Sequence, residues 1–122
     1  MCYNPKGYPY EGSAIQISFT DDKLARTCST DEAGKRRYGQ DWPNVRRRLK
    51  ELEAAPCLDD MQLGNPHPLT GKLAGTWAVS TSRNDRILFE VDHDPLPLLD
   101  DGGLDRKRVT AIAITEVSHD YH

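Results

Sequence analysis

The chain has 122 residues, 37% hydrophobic and 29% charged, with a formal net charge of −3; that length suits one domain with a modest core. No apolar run approaches the roughly 20 residues that span a bilayer, and a negative sum argues against a general nucleic-acid binder, whose phosphate contacts need a basic surface. Cys2, Cys28 and Cys57 are widely spaced without a Cys-x-x-Cys pair, a pattern that indicates neither a disulfide framework nor a zinc site and suits a reducing cytoplasm.

Residues 1–13 hold two Pro, two Gly and three Tyr without a period, and read as an irregular arm whose start has no basic-then-apolar order of a secretory signal. The domain proper runs from 14 to 122. Ala14 to Thr20 places Ile15, Ile17 and Phe19 on one face at period two, a short strand with one buried side. Thr20 or Asp21 can cap a helix over Asp22 to Thr27, with Leu24 and Cys28 turned inward. Residues 29–42 begin with a cap-like Ser29-Thr-Asp-Glu32, but Gly34 and Gly39 weaken any helix there. Asp41-Trp42-Pro43 restarts the helix with a capping Asp and a proline in the first turn. From Asn44 to Ala55, Val45, Leu49, Leu52 and Ala55 recur at spacings of three and four, and Arg46, Arg47, Arg48 and Lys50 spread round the remainder. That basic run is either a solvated face carrying Arg47-to-Glu51 pairs or a face for RNA phosphate or an acidic partner.

Pro56 ends the helix, and residues 57–73 form a loop rich in turn formers. Gly75 to Ser82 and Arg86 to Asp92 alternate apolar and polar residues and are joined by Ser82-Arg-Asn-Asp85, a hairpin connection. The Trp77 stripe of the first is core. Residues 93–108 are a second long loop, acid-rich at Asp92, Asp94, Asp100, Asp101 and Asp105, with His93 solvated between its two acids. Residues 109–117 are the last strand, which runs into Ser118-His-Asp-Tyr-His122. The order strand, helix, helix, strand, strand, strand describes an α+β domain: a mostly antiparallel sheet of about four strands with two N-terminal helices on one face.

Five pieces in this order carry a family resemblance: Arg46-Arg-Arg-Leu-Lys-Glu-Leu-Glu-Ala-Ala55, His67-Pro-Leu-Thr-Gly71, Gly75-Thr-Trp-Ala-Val-Ser80, Arg86-Ile-Leu-Phe89 and the terminal Asp120-Tyr121-His122. Together they are similar to HigB-type toxins, the plasmid-maintenance killer proteins of the RelE/ParE superfamily, over residues 14–122. The resemblance implies a RelE-like microbial RNase fold and the toxin of a type II toxin–antitoxin system. It implies a ribosome-dependent endoribonuclease that cleaves mRNA without metal or cofactor. The implied partners are a helix-turn-helix, HigA-like antitoxin, the ribosome and mRNA, in the cytoplasm and with no membrane. Carried over by motif, the catalytic set is His67, Asp120, Tyr121 and His122, with Arg86 on phosphate. Thr70 stands where family members often have Lys, and Lys72 is the nearest replacement. The arm and the longer 93–108 loop also depart from compact members.

The chemistry agrees with that set. RNA carries its own nucleophile, the 2′-OH, so a nuclease needs a base, donors for the phosphate oxygens and an acid for the leaving 5′-oxygen. Two imidazoles supply base and acid near neutral pH. Asp120 would orient one of them, Tyr121 would stack on a base or donate to phosphate, and Arg86 with Arg83 nearby suits transition-state charge. Lys72, Arg46, Arg47 and Arg48 complete the expected RNA contacts. Blander readings stand beside these: His67 as a loop residue whose ring caps a carbonyl, and Arg86 in a surface ion pair with Asp85 or a helix acid. His119 and His122 point to opposite faces of a strand and make no zinc pair. The rival functions on the same fold are a ParE-like gyrase poison and a non-catalytic binding protein.

Overall fold

The computed structural model describes residues 15–82 and 85–119, the last two as backbone. Its centre is a five-stranded sheet in the order β1-β5-β4-β3-β2. The strands are β1 (Gln16–Phe19), β2 (His67–Pro68), β3 (Trp77–Ser80), β4 (Asp85–Val91) and β5 (Ala111–His119). β1 runs parallel to β5, with Ile17 opposite Ile112, and every other pairing is antiparallel. Three helices, α1 (Asp22–Thr27), α2 (Asp31–Tyr38) and α3 (Trp42–Ala54), fill the crossover between β1 and β2. No helix of the described residues is long and apolar enough to cross a membrane.

Period-two alternation sets the core. Val79, Ile87, Phe89, Ile112 and Ile114 are fully buried and meet Val45 and Leu52 of α3. Trp77 stacks on Phe89, ring centroids 6.3 Å apart. In β5 the apolar residues Ile114 and Val117 are three apart, a spacing that a regular strand would send to opposite faces. The register jumps from Leu88 opposite Glu116 to Phe89 opposite Ile114, which leaves Thr115 as the extra residue of a bulge. That insertion returns both apolar residues to the helix-covered face.

Several expectations need correction. The sheet has five strands, not four, because the loop after α3 contributes His67–Pro68 as an edge pairing with Ala78 and Trp77. The described residues form three α-helices, not two. Thr30 caps α2 by accepting from the Ala33 N–H at 3.1 Å, and Gly34, the residue that weakened the helix on propensity, lies under the Trp42 ring. A Cβ there would stand 2.3 Å from ring carbons, so glycine is the condition for Trp42 to reach Asp31, to which its Nε1–H donates at 3.0 Å. Asp41 makes no side-chain cap, since a 3₁₀ turn over Gly39–Asp41 already feeds the helical backbone into α3; Asp21 does cap α1. His93 is half-buried, and its Nε2 accepts from the Thr110 N–H at 3.0 Å instead of facing only water. Cys57 is fully buried and disulfide-bonded, which removes the ground for reading a reducing compartment from the cysteines.

Candidate functional site

The sheet has a helix-covered face and an opposite face, and the expected site residues that are described on strands fall on the second. His67 lies directly opposite Ala78, Ala78 opposite Leu88, and Leu88 opposite Glu116, one row across β2, β3, β4 and β5. The next row on the same face is Ser80, Arg86 and Ser118. With strands about 4.8 Å apart and residues about 3.3 Å along a strand, the His67 and Arg86 Cα atoms stand roughly 12 Å apart. Asp85 pairs with His119, so the chain leaves β5 beside Arg86. Asp120, Tyr121 and His122 follow immediately and lie outside the described residues, as does Arg83.

The His67 ring is exposed and held by one hydrogen bond, Nδ1 to the Asn65 carbonyl at 2.8 Å. A carbonyl only accepts, so Nδ1 carries a proton, and in the neutral form of the ring Nε2 is the bare nitrogen. The bland reading, a ring engaged with a carbonyl, is therefore correct for one nitrogen and leaves the other available. The turn beneath it is built by Gly64 and Asn65, at φ 76° and 51°. Gly64 accepts from the Ser80 N–H at 2.8 Å, and its α-hydrogen faces the Ser80 carbonyl and Val79 so closely that a Cβ would lie 2.6 Å from each. The loop is thereby stitched to β3 one residue pair away from Arg86.

Arg86 is half-buried, and its Nε is buried without a hydrogen-bond partner among the described residues. Asp85 accepts from the Ser82 hydroxyl at 3.0 Å. Lys72 sits exposed in a 3₁₀ turn after β2 (Gly71–Leu73). The three arginines of α3 have different fates. Arg46 pairs with Asp31 at 3.2 Å, both about half-exposed; Arg47 is exposed and donates to Asn44 at 3.0 Å. Arg48 is packed inward, donating from Nε to the Ser80 carbonyl at 2.8 Å and from Nη1 to Glu51 at 2.6 Å. The expected Arg47-to-Glu51 pair is thus replaced by Arg48–Glu51, which ties α3 to the end of β3.

Two features of the site escaped the sequence reading. Arg48 is a strut from α3 to β3. Arg106, from the long loop, stacks on Trp77 and reaches the Pro66 carbonyl beside His67. Neither has a sequence signature, since their partners lie 32 and 40 residues away. The Gly64-Asn-Pro66 turn did have one, in its dense turn formers.

The shifted titrations lie elsewhere, where α1 and α2 meet. Burial pushes the Tyr38 phenol up to about 12, helped by the neighbouring Cys28 and opposed by Arg37. The Cys28 thiol is raised by burial, against a hydrogen bond with Tyr38 that lowers it. Beside this pair, a groove of about 260 Å³ runs between β1 and α3, floored by Ile17, Phe19 and Leu49 and edged by Asp31, Arg46 and Lys50.

No protein-family model and no curated protein matches this chain. Among solved structures it is similar to a YoeB/ParE toxin from Agrobacterium tumefaciens, 15% identical with a TM-score of 0.54, over 88% of this chain and 100% of that one. It is similar also to a chain of a YoeB-YefM complex from Staphylococcus aureus, 15% identical with a TM-score of 0.53, over 88% of this chain and 98% of that one. The α+β fold is therefore the YoeB/RelE-like toxin fold, as the motif resemblance implied, although these neighbours are YoeB and not HigB proteins.

Proposed function

We propose that this chain is the toxin of a type II toxin–antitoxin pair and that it cleaves mRNA on the ribosome through attack by the RNA's own 2′-OH. The observation that carries the reading is the placement of His67 and Arg86 on one sheet face, opposite the helix-covered one, at the end where β5 hands over to Asp120-Tyr121-His122. His67, with its Nδ1 proton fixed by Asn65, offers Nε2 as the base toward the 2′-OH. Arg86 takes the charge that develops on the phosphate oxygens. His122 is the acid for the leaving 5′-oxygen, Asp120 orients an imidazole, and Tyr121 stacks on a base. No step calls for a metal or cofactor. Arg83, Lys72, Arg46 and Arg47 are the proposed phosphate contacts outside the reacting centre. Arg48 is left out of that set, because its guanidinium is engaged with Ser80 and Glu51.

The ribosome enters for an energetic reason. With a net charge of −3, free RNA would be held weakly at physiological salt. Ribosomal RNA and the paired codon would supply orientation, which accounts for several kcal/mol of a barrier, about 7–11 in well-oriented systems. Action on the ribosome would be carried out in the cytoplasm. The likeness to a YoeB-YefM complex supports an antitoxin partner, and the five ordered motifs are the ground for proposing the HigB branch with a HigA-like helix-turn-helix partner.

The test is cleavage of mRNA by purified protein with and without ribosomes. Wild-type protein is expected to cut within translated codons and spare naked mRNA. His67→Ala and His122→Ala are each expected to lose about 10²–10⁴-fold in rate, the usual contribution of one positioned acid or base. Intact mRNA on the ribosome, together with gyrase trapped on DNA, would replace this reading by the ParE-like one.

A further inference from the structure

Arg106 opens a 3₁₀ turn (Arg106–Arg108) at the end of the long loop after β4. The loop brings it there in an ordered way. Leu98 bridges Leu104, the Asp105 N–H donates to the Pro97 carbonyl at 2.8 Å, and the Asp105 side chain accepts from the Lys107 N–H at 3.3 Å. The guanidinium then lies over the Trp77 ring, 5.2 Å from its centroid, and Nη2 donates to the Pro66 carbonyl at 3.5 Å. Its Nε is buried with no partner among the described residues. A guanidinium loses hydration in such a place and recovers part of it from the ring face. A freely solvated arginine would have no reason to accept that position.

What the position touches is specific. Trp77 is the cross-strand partner of Pro68, and Ala78 that of His67. Pro66 is the residue whose carbonyl forms the peptide bond to His67. One cation therefore contacts the ring beneath β2 and the peptide group that enters His67, from the side of the sheet opposite to the His67 ring. β2 is a two-residue edge pairing, and its own ladder is too short to fix the direction of a side chain by itself.

We infer that Arg106 is a positioning residue for His67: by seating the Pro66–His67 peptide on Trp77 it sets where the free Nε2 points. The inference rests on the proposed ribonuclease reading for its consequence, but not for its geometry. Lysine would keep the charge, yet it lacks the flat face that stacks on Trp77 and the fork that reaches sideways to a carbonyl.

Two measurements on the full chain test it. First, ¹⁵N shifts of the His67 ring report its tautomer. Wild-type protein is expected to show the Nδ1-protonated tautomer held by the Asn65 carbonyl, and Arg106→Ala and Arg106→Lys are expected to shift both signals toward a mixed tautomer. Unchanged ring signals in a folded variant would overturn the inference. Arg106→Lys decides the matter should Arg106→Ala not fold. Second, in ribosome-dependent cleavage Arg106→Ala is expected to lower kcat by about 10²-fold, the cost of a small misplacement of a reacting group. The half-saturating ribosome concentration should stay the same, and added guanidinium at millimolar concentration should restore part of the rate. A loss confined to ribosome affinity, or wild-type kcat, would overturn it. A wild-type protein without cleavage would instead remove the ribonuclease reading, and the ring signals would still decide the role of Arg106.

Discussion

Gly64 and Gly71 offer a controlled pair. Both adopt left-handed backbone, φ 76° and 69°. A Cβ at Gly71 would meet nothing within 4 Å, whereas one at Gly64 would lie 2.6 Å from the Ser80 carbonyl oxygen and Val79 Cγ2 and 3.0 Å from Arg48 Nε. Alanine at either site costs about 1–2 kcal/mol for the left-handed conformation, offset in part and equally by the lower entropy of the unfolded chain. That common part cancels in the difference. What remains for Gly64→Ala is the clash with backbone, which typically costs about 1–3 kcal/mol. Relief by moving the turn away stretches the Ser80-to-Gly64 hydrogen bond and disturbs the Arg48 bond on the same Ser80 peptide, each worth on the order of 1–2 kcal/mol. Gly64→Ala should thus be less stable than Gly71→Ala by about 2–3 kcal/mol by this reckoning. At this chain length the gap corresponds to roughly 6–15 °C in Tm. Urea titration with unchanged m-value gives the free energy, and calorimetry the Tm. Equal destabilisation of the two variants would refute the close approach of the His67 turn to β3.

Two further outcomes follow from the helix side. Gly34→Ala should gain up to about 1 kcal/mol from helix propensity, yet the clash with the Trp42 ring should make it a net loss of about 1–3 kcal/mol; in a Trp42→Leu background, urea unfolding should show the sign reversed. Tyr38 titrates in the fold at about 12, above its ordinary value near 10. A raised folded value means that its contribution is complete below pH 10 and is lost as pH climbs through about 12. Wild-type stability should therefore fall more steeply than that of Tyr38→Phe between pH 10 and 12, and parallel slopes would contradict the burial of the phenol.

What the sequence made legible were patterns that repeat within one element. Val45, Leu49 and Leu52 declare α3 by their spacing, and Ile87 and Phe89 declare β4, because each residue's environment depends on neighbours two to four positions away. The α2 helix was obscured for the opposite reason. Gly34 counts against a helix on propensity, and what it provides, room for a ring, belongs to a tryptophan eight positions on. β2 has two residues, one of them proline, and no period can be read from two. The parallel pairing of β1 with β5 joins Gln16 to Ala111, a separation that local pattern does not encode.

The site shows the same division. His67 and Arg86 were legible as candidates, but that they share a face follows from register, which needs both hydrogen-bond partners. The sharpest case is the run Arg46-Arg47-Arg48. In sequence these are three equal cations, and composition invites reading them together as a phosphate-binding face. On the helix each successive residue turns by about 100°, so one meets Asp31, one faces solvent beside Asn44, and one is drawn in to the Ser80 carbonyl and Glu51. A guanidinium with a backbone carbonyl and a carboxylate already on it would have to give both up to hold a phosphate. It would also leave Glu51 without its partner, and the turn carrying His67 without the strut behind Ser80. The basic run is therefore not one face: Arg48 braces the turn from behind Ser80, while Arg46 and Arg47 keep their guanidinium groups at the surface, beside Asp31 and Asn44.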